Sequence, residues 1–116
     1  MKARKEETVD TINIDEFKKV EIRIGKITEA TKVENADKLL KLQVDFGDFK
    51  RQILSAIAEW YNPEDLEGKK LPFIVNLETR VMRGEESQGM LMAMDTEDKP
   101  VLLIPAEDIP EGTLVV

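Results

Sequence analysis

Apolar and polar residues alternate along several stretches of the chain, a spacing typical of strands with one buried face. Apolar side chains take every second position in residues 20–24 and again in residues 40–46. Residues 49–58, 71–77 and 89–94 are three further apolar stretches of strand length. The pattern therefore predicts five strands.

Two short helices are predicted from the residues that begin them. Asn13 can accept hydrogen bonds from free backbone amides, and Glu16, the third helical residue, can bond back to it as a capping box. A second helix is expected after Asn62, with Pro63 at its first position and Asp65 closing a similar box. This helix falls between the third and fourth predicted strands.

Three strands, a short helix and two more strands are the order of a five-stranded OB barrel, so we predict an all-β fold over about residues 18–95. After Gly25 the apolar phase slips by one position, which indicates a bulge or sharp bend there. Gly47 and Asp48 have the composition of a hairpin turn.

The length of 116 residues fits one domain. Residues 1–11 are charged and lack periodicity, so we expect a tail or linker, with the folded domain in residues 12–116. Residues from about 96 to 116 form a C-terminal extension beyond the barrel. Met1 followed by a linker-like segment fits either a complete small protein or the end of a longer one.

Composition argues against catalysis, because the chain has no cysteine and no histidine. Disulfides, Cys/His zinc sites and Ser-His or thiol nucleophiles are thereby excluded. We expect no catalytic residue, no metal and no cofactor. The charged N-terminus does not resemble a secretory signal, and no apolar run reaches membrane-spanning length, so we expect a cytoplasmic protein.

The net charge of −7 is unfavourable for phosphate binding, but it is unevenly distributed. Residues 91–116 carry one basic residue, Lys99, against six acidic residues. The preceding chain is therefore close to neutral and leaves room for a local basic face. Weak or moderate RNA binding is compatible with this composition, whereas strongly electrostatic binding is not expected.

Four segments give the chain a family resemblance. They are residues 17–25 (FKKVEIRIG), 36–42 (ADKLLKL), 75–77 (VNL) and 84–90 (GEESQGM). In this order they resemble the tRNA-binding domain that is appended to many methionyl-tRNA synthetases. That domain also exists as a free dimeric tRNA-binding protein and, more distantly, as a cytokine-like module. The resemblance runs over roughly residues 12–116.

The resemblance implies a set of tRNA-binding residues, which are Lys38, Asn76, Arg80, Arg83, Ser87 and Met90. Two arginines in one loop can grip an RNA backbone, although they can equally be solvated charges that pair with Glu85 or Glu86. Asn76 resembles an asparagine beside the RNA face, or it is a turn former at the end of a strand. The family usually carries basic residues where this chain has Glu78 and Val81.

Ser87 can bond a phosphate or ribose, and Met90 can pack against a sugar or base. Met92 and Met94 continue the same alternation and are predicted to be core residues. Lys41, Lys50 and Arg51 add charge near Lys38, and the six aromatic side chains are mostly expected in structural positions. We therefore expect a folded RNA recognised by shape and backbone, and not single-strand binding by successive stacking.

The resemblance also implies partners. Besides tRNA, these are a second copy of the chain, bound through the C-terminal extension, and a methionyl-tRNA synthetase catalytic chain. The apolar residues 101–104 and 114–116 fit a role in dimerisation, although they could instead fold back on their own barrel. The expected function is non-catalytic tRNA binding that assists aminoacylation; the alternatives are a dimerisation appendage with little RNA affinity and a chaperone-like relative.

Overall fold

The computed structural model describes residues 10–116. Within them the chain forms two short helices and nine strands. The helices are α1 (Ile14–Phe17) and α2 (Pro63–Leu66), and the strands are β1 (Ile22–Val33), β2 (Ala36–Asp45), β3 (Lys50–Ser55), β4 (Lys70–Ile74), β5 (Arg80–Met82), β6 (Glu85–Ser87), β7 (Met90–Leu91), β8 (Ala93–Asp95) and β9 (Pro100–Leu102). The predicted tail, residues 1–11, falls almost entirely outside the described residues.

Five antiparallel strands form the main sheet in the order β3-β2-β1-β4-β7. The long strand β1 pairs with two strands along its length: residues 22–26 pair with β4, and residues 26–33 pair with β2. The two edges approach each other where Gln88 N donates to the carbonyl of Gln52 in β3 at 2.7 Å. This architecture confirms the predicted all-β fold, and its strand order is that of a five-stranded OB barrel.

The core contains the apolar face of β2, as its alternation predicts. Leu40, Leu42, Val44 and Phe46 are each at most 2% exposed. The Phe46 ring meets Phe73 of β4 edge to face, with ring centroids 5.6 Å apart. One contiguous cluster of buried side chains therefore fills the sheet from β2 to β4.

Gly25 has a different role from the predicted one. Its pairing with Leu71 in β4 is regular, and the register of β1 shifts instead between Ile27 and Glu29 and again after Lys32. A side chain at Gly25 would collide with Val44 and Phe46. The glycine thus permits close approach of β1 to the core, and the bulge lies a few residues further on.

The two predicted helix caps have different outcomes. Asn13 and Glu16 form the complete capping box, and the Asn13 side chain accepts from Glu16 N at 2.8 Å. The second helix begins at Pro63 as predicted, but Asn62 makes no side-chain cap bond to the backbone. Its amide nitrogen instead faces the Asp65 carboxylate at 3.4 Å, so the predicted box at α2 is wrong.

The predicted fifth strand is divided between two sheets. Met90 and Leu91 pair with β4, whereas residues 93–95 pair with β9. Leu91 is the buried residue of this segment; Met92 is half-buried and Met94 is 45% exposed. The prediction that Met94 belongs to the core is therefore wrong, because the chain leaves the main sheet before that position.

The end of the chain returns to the barrel. We call residues 103–116 the C-terminal tail. Gly112 N and Val115 N donate to the carbonyls of Ile24 and Ile22, at 2.7 and 2.8 Å, so the tail lies along the free edge of β1. Its backbone thus folds back on its own barrel, while Leu114, Val115 and Val116 stay exposed. None of the helices in residues 10–116 is both long and apolar enough to span a membrane.

Candidate nucleic-acid interface

Arg80 and Arg83 lie on an ordered hairpin formed by β5 and β6, where the sequence predicted a loop. The two-residue turn is Arg83-Gly84, and both residues have positive φ, 53° and 80°. Such a turn follows the twist of the flanking strands, but its first position usually holds Asn, Asp or Gly. Strands of three residues with an arginine at this position carry little turn signal, which explains why the hairpin was not predicted.

Polar bonds fix the base of this hairpin to β3. Ser87 Oγ accepts from Leu54 N and donates to the Gly89 carbonyl, both at 3.0 Å. Ser87 is 3% exposed, and among the described residues it is the one polar or charged residue that is buried. Gln52 N donates to Gln88 Oε1 at 2.9 Å, in return for the bond from Gln88 N. The hydroxyl of Ser87 is therefore already engaged inside the protein.

The hairpin also packs on the outer face of the sheet. Met82 contacts a small buried cluster to which Leu54 belongs. Lys41 Nζ lies 3.1 Å from the Glu85 carboxylate, and both side chains are about one-third exposed. Arg80 and Arg83 are thus presented on a fixed element, which reduces the conformational entropy lost when a ligand binds.

The turn of this hairpin meets the turn between β1 and β2. Lys38 and Arg83 line one surface cavity of about 330 Å³, together with the backbone and side chains of residues 35–39. Asn35, in the β1–β2 turn, has a positive φ of 60°. We call this feature the Lys38–Arg83 cavity. Besides the Asp37 carboxylate, it holds an ammonium and a guanidinium group, which are side-chain groups that bind phosphate.

A second, smaller cavity lies at the base of the hairpin. Arg80, Ser87 and Met90 line it, beside Leu77 and Glu78. Met90 is 46% exposed and Leu77 is 45% exposed, so apolar surface adjoins the arginine. Five of the six residues predicted to bind tRNA therefore border two cavities on one hairpin and the adjacent turn.

Asn76, the sixth predicted residue, lies outside both cavities. Its Oδ1 accepts from Glu21 N at 2.8 Å, and its Nδ2 donates to the Lys19 carbonyl. These two bonds attach the end of β4 to the connection between α1 and β1. The side chain is exposed, so tRNA contact by Asn76 stays a prediction, but its amide already has a structural role.

The other cations expected near Lys38 have different surroundings, and Lys41 among them forms an ion pair. Lys41 is paired with Glu85, and the Arg51 guanidinium lies 4.6 Å from the centre of the Phe49 ring. Lys50 is exposed on β3. Neither the Lys41–Glu85 ion pair nor the turn at Asn35 was predicted from the sequence. An asparagine between two alternating apolar stretches is the signal that marks such a turn.

Comparison with known proteins identifies the family of the chain. The family model described as "Putative tRNA binding domain" matches residues 22–114. The chain is 45% identical over 114 residues to the methionine–tRNA ligase of Caldanaerobacter subterraneus subsp. tengcongensis. That alignment covers 98% of this chain but 18% of the ligase. The chain therefore belongs to the tRNA-binding domain family, whose sequence these ligases contain as one part.

Two solved structures share the fold. A MetRS related protein from Pyrococcus horikoshii is 42% identical with a TM-score of 0.88, and the match covers 93% of this chain and 100% of that one. The chaperone CsaA from Bacillus anthracis is 28% identical with a TM-score of 0.83, over 92% of this chain and 100% of that one. The chain is thus related to proteins of both descriptions, with higher identity to the first.

Proposed function

We propose that this chain holds the outer surface of folded tRNA by contacts to the sugar–phosphate backbone and thereby assists aminoacylation. The Lys38–Arg83 cavity carries this proposal, because it joins two cations that are 45 positions apart in the sequence. Arg80, Ser87, Met90 and Asn76 extend the surface around it. The chemistry of bond formation would belong to a methionyl-tRNA synthetase catalytic chain, to which this module is either fused or bound.

The proposed binding is moderate in strength. Lys41 is neutralised by Glu85, and Glu78 and Glu86 add negative charge next to the arginines. Few phosphates can therefore be neutralised, which lowers the affinity and also its dependence on salt. A module of this kind would supplement the affinity of a synthetase for tRNA and lower the dissociation rate of the complex.

The test is a titration of fluorescently labelled, unfractionated tRNA at several salt concentrations. We expect log K to fall linearly with log salt with a slope of a few units. Arg83→Ala and Lys38→Ala should each reduce the slope by about one. Lys69→Ala, which removes an exposed charge outside both cavities, is the matched control and should change neither slope nor affinity.

Other outcomes would favour other functions. Absence of tRNA binding at low salt, together with stable dimers, would indicate a dimerisation appendage. Suppression of the aggregation of an unfolded protein, without tRNA binding, would indicate the chaperone-like function that the similarity to CsaA raises. Equal losses for Lys69→Ala and Arg83→Ala would show that the cavity is not the binding site.

We propose in addition that the chain forms a homodimer through an apolar groove. Ile14, Phe17 and Val20 line one side of it, and residues 114–116 line the other. Phe17 is 49% exposed and Val116 is fully exposed in the single chain. A second copy would remove this surface from water, which is the main driving force of association.

A further inference from the structure

Four of the six aromatic side chains have internal positions. Phe46 and Phe73 are buried in the core, and Phe49 stacks on Phe46 with ring centroids 5.1 Å apart. Tyr61 packs against the same core, and its hydroxyl donates to the Pro100 carbonyl at 2.7 Å. Phe46 and Phe73 are therefore unavailable to a ligand, and Phe49 and Tyr61 are only partly accessible.

The two exposed aromatic side chains have different surroundings. Phe17 lines the apolar groove beside the C-terminal tail. Trp60, the single tryptophan of the chain, is 42% exposed and is not among the residues that line that groove. Tryptophan is enriched at binding interfaces because its indole combines a large apolar surface with a polar N–H group. The proposed dimer surface therefore accounts for the exposure of Phe17 but not for that of Trp60.

A hydrogen bond brings the segment that carries Trp60 to Lys38, although Trp60 is not itself among the residues that line the Lys38–Arg83 cavity. Ala58 N donates to the carbonyl of Lys38 at 3.0 Å. Trp60 follows Ala58 by two positions, which limits their separation along the chain to about 7 Å. Trp60 N and Tyr61 N both donate to the Ile57 carbonyl, so this connection forms a tight turn anchored by the buried Ile57 side chain. The indole is thus presented from a fixed backbone.

We propose that Trp60 is a base-stacking platform at the edge of the Lys38–Arg83 cavity. A phosphate of an unpaired nucleotide would bind Lys38 and Arg83, and the base of the same or the next nucleotide would stack on the indole. The proposal rests on the proposed function and specifies its substrate class. Because unstacking a base from a duplex costs free energy, the site would prefer a folded RNA that offers an unpaired nucleotide.

One platform is consistent with the scarcity of aromatic residues. Binding of a long single strand requires several rings in succession, whereas Trp60 is a single exposed ring on the segment bonded to Lys38. Asp37 lines the cavity together with Lys38, and Glu59 precedes Trp60 in the sequence. Stacking, which involves no net charge, would therefore add affinity where electrostatic attraction is limited.

The test uses Trp60 as its own probe, since the chain contains no other tryptophan. Unfractionated tRNA is titrated while the anisotropy of a label on the tRNA and the emission of Trp60 are both recorded. We expect tRNA to quench Trp60 and to shield it from acrylamide. A blunt RNA duplex with a similar number of phosphates should bind more weakly and leave the emission unchanged.

Variants give an independent measurement. Trp60→Ala should weaken tRNA binding roughly five- to hundredfold with no change in the salt slope, because stacking releases no counterions. Trp60→Phe keeps an aromatic ring and should retain most of the affinity. The Phe variant and the emission titration of the unmodified chain still decide the matter if Trp60→Ala is unstable.

The outcomes separate this inference from the proposed function. If tRNA binds but Trp60 emission and the affinity of Trp60→Ala are unaffected, the platform is refuted and the tRNA-binding function stands. If no tRNA binds, both are refuted. If Trp60→Ala changes sedimentation but not tRNA affinity, the indole contacts protein and the platform is again refuted.

Discussion

A single hydroxyl, that of Ser87, joins three parts of the barrel. Ser87 ends β6, accepts a hydrogen bond from Leu54 N in β3 and donates to the Gly89 carbonyl just before β7. Gly89 itself has a φ of 154°, and a side chain there would collide with the carbonyl of Ile74. The Ser87–Met90 segment therefore has strict structural requirements that are independent of RNA.

Ser87→Ala should destabilise the fold by about 1–3 kcal/mol, because it leaves the buried Leu54 amide without a partner. Urea unfolding measures this. Thr28→Ala is the control: it removes a hydroxyl that donates to the Gln43 carbonyl at an exposed position, and should change stability by no more than about 0.5 kcal/mol. Equal effects of the two variants would contradict the structural role of Ser87.

The tRNA affinity of the same variant, measured where it is fully folded, separates two roles of Ser87. An unchanged affinity means that the hydroxyl acts through the fold alone. A loss of affinity with an intact fold supports the predicted contact with phosphate or ribose.

Residue types identified several candidate positions without revealing which bonds they already make. The capping box at Asn13 was predictable, because both of its partners lie within four residues of each other. The bonds of Asn76 to Lys19 and Glu21 were not, because they join segments more than 50 residues apart. Local patterns predict local bonds, whereas long-range ones depend on a chain path that one sequence does not specify.

Lys70 of β4 contacts three residues of the C-terminal tail, and we call this set of contacts the clasp. Lys70 Nζ donates to Asp108 Oδ1 at 2.8 Å and to the Ile109 carbonyl at 2.7 Å, and it lies 3.2 Å from Glu111 Oε1. The hydrogen bond to Lys70 lowers the pKa of the Asp108 carboxyl below its ordinary value of 3.8. The bonds to Asp108 and Glu111 raise the pKa of Lys70 above 10.5.

These shifts predict the pH range in which the clasp stabilises the tail. The contribution of Asp108 is present above pH 3.8 and is lost as the pH falls through its lower folded pKa. The contribution of Lys70 is complete below pH 10.5 and is lost as the pH rises through its raised folded pKa. The tail should therefore be held less firmly as the pH falls below 3.8 and through the lower folded pKa of Asp108.

Hydrogen exchange of the Gly112 and Val115 amides, expressed as protection relative to the free peptide, checks this at several pH values. We expect protection to fall in acid. Lys70→Met should lower it at neutral pH as well, whereas Lys69→Met, an exposed neighbour, should not. Constant protection of both amides down to pH 2 would show that their backbone bonds to β1 hold the tail without the clasp.

Across the whole molecule, the sequence predicted best what depends on burial. The period of two in β2 placed Leu40, Leu42, Val44 and Phe46 in the core because one face of each strand must leave water. The β5–β6 hairpin, which presents the arginines, was missed because it lies on the outside of the barrel. Its position depends on a few polar bonds to β3, and no apolar periodicity marks it.

The apolar groove between α1 and the tail makes a prediction at the scale of the assembly. If a second copy covers the groove, sedimentation at micromolar concentration should show twice the monomer mass of 13.2 kDa. Phe17→Asp should weaken the dimer by at least about thirtyfold, because it places a charge in an apolar contact in place of a large ring.

Trp60→Asp is the matched control for this dimer test. It introduces the same charge at another exposed aromatic residue, of similar exposure, 42% against 49%. Because Trp60 does not line the groove and is the proposed base-stacking residue, its substitution should leave the dimer intact while weakening tRNA binding. Phe17→Asp should show the opposite pattern, apart from any avidity gained when two copies bind one tRNA. A wild-type species of 13.2 kDa at micromolar concentration would refute the dimer and leave the apolar groove without its proposed partner.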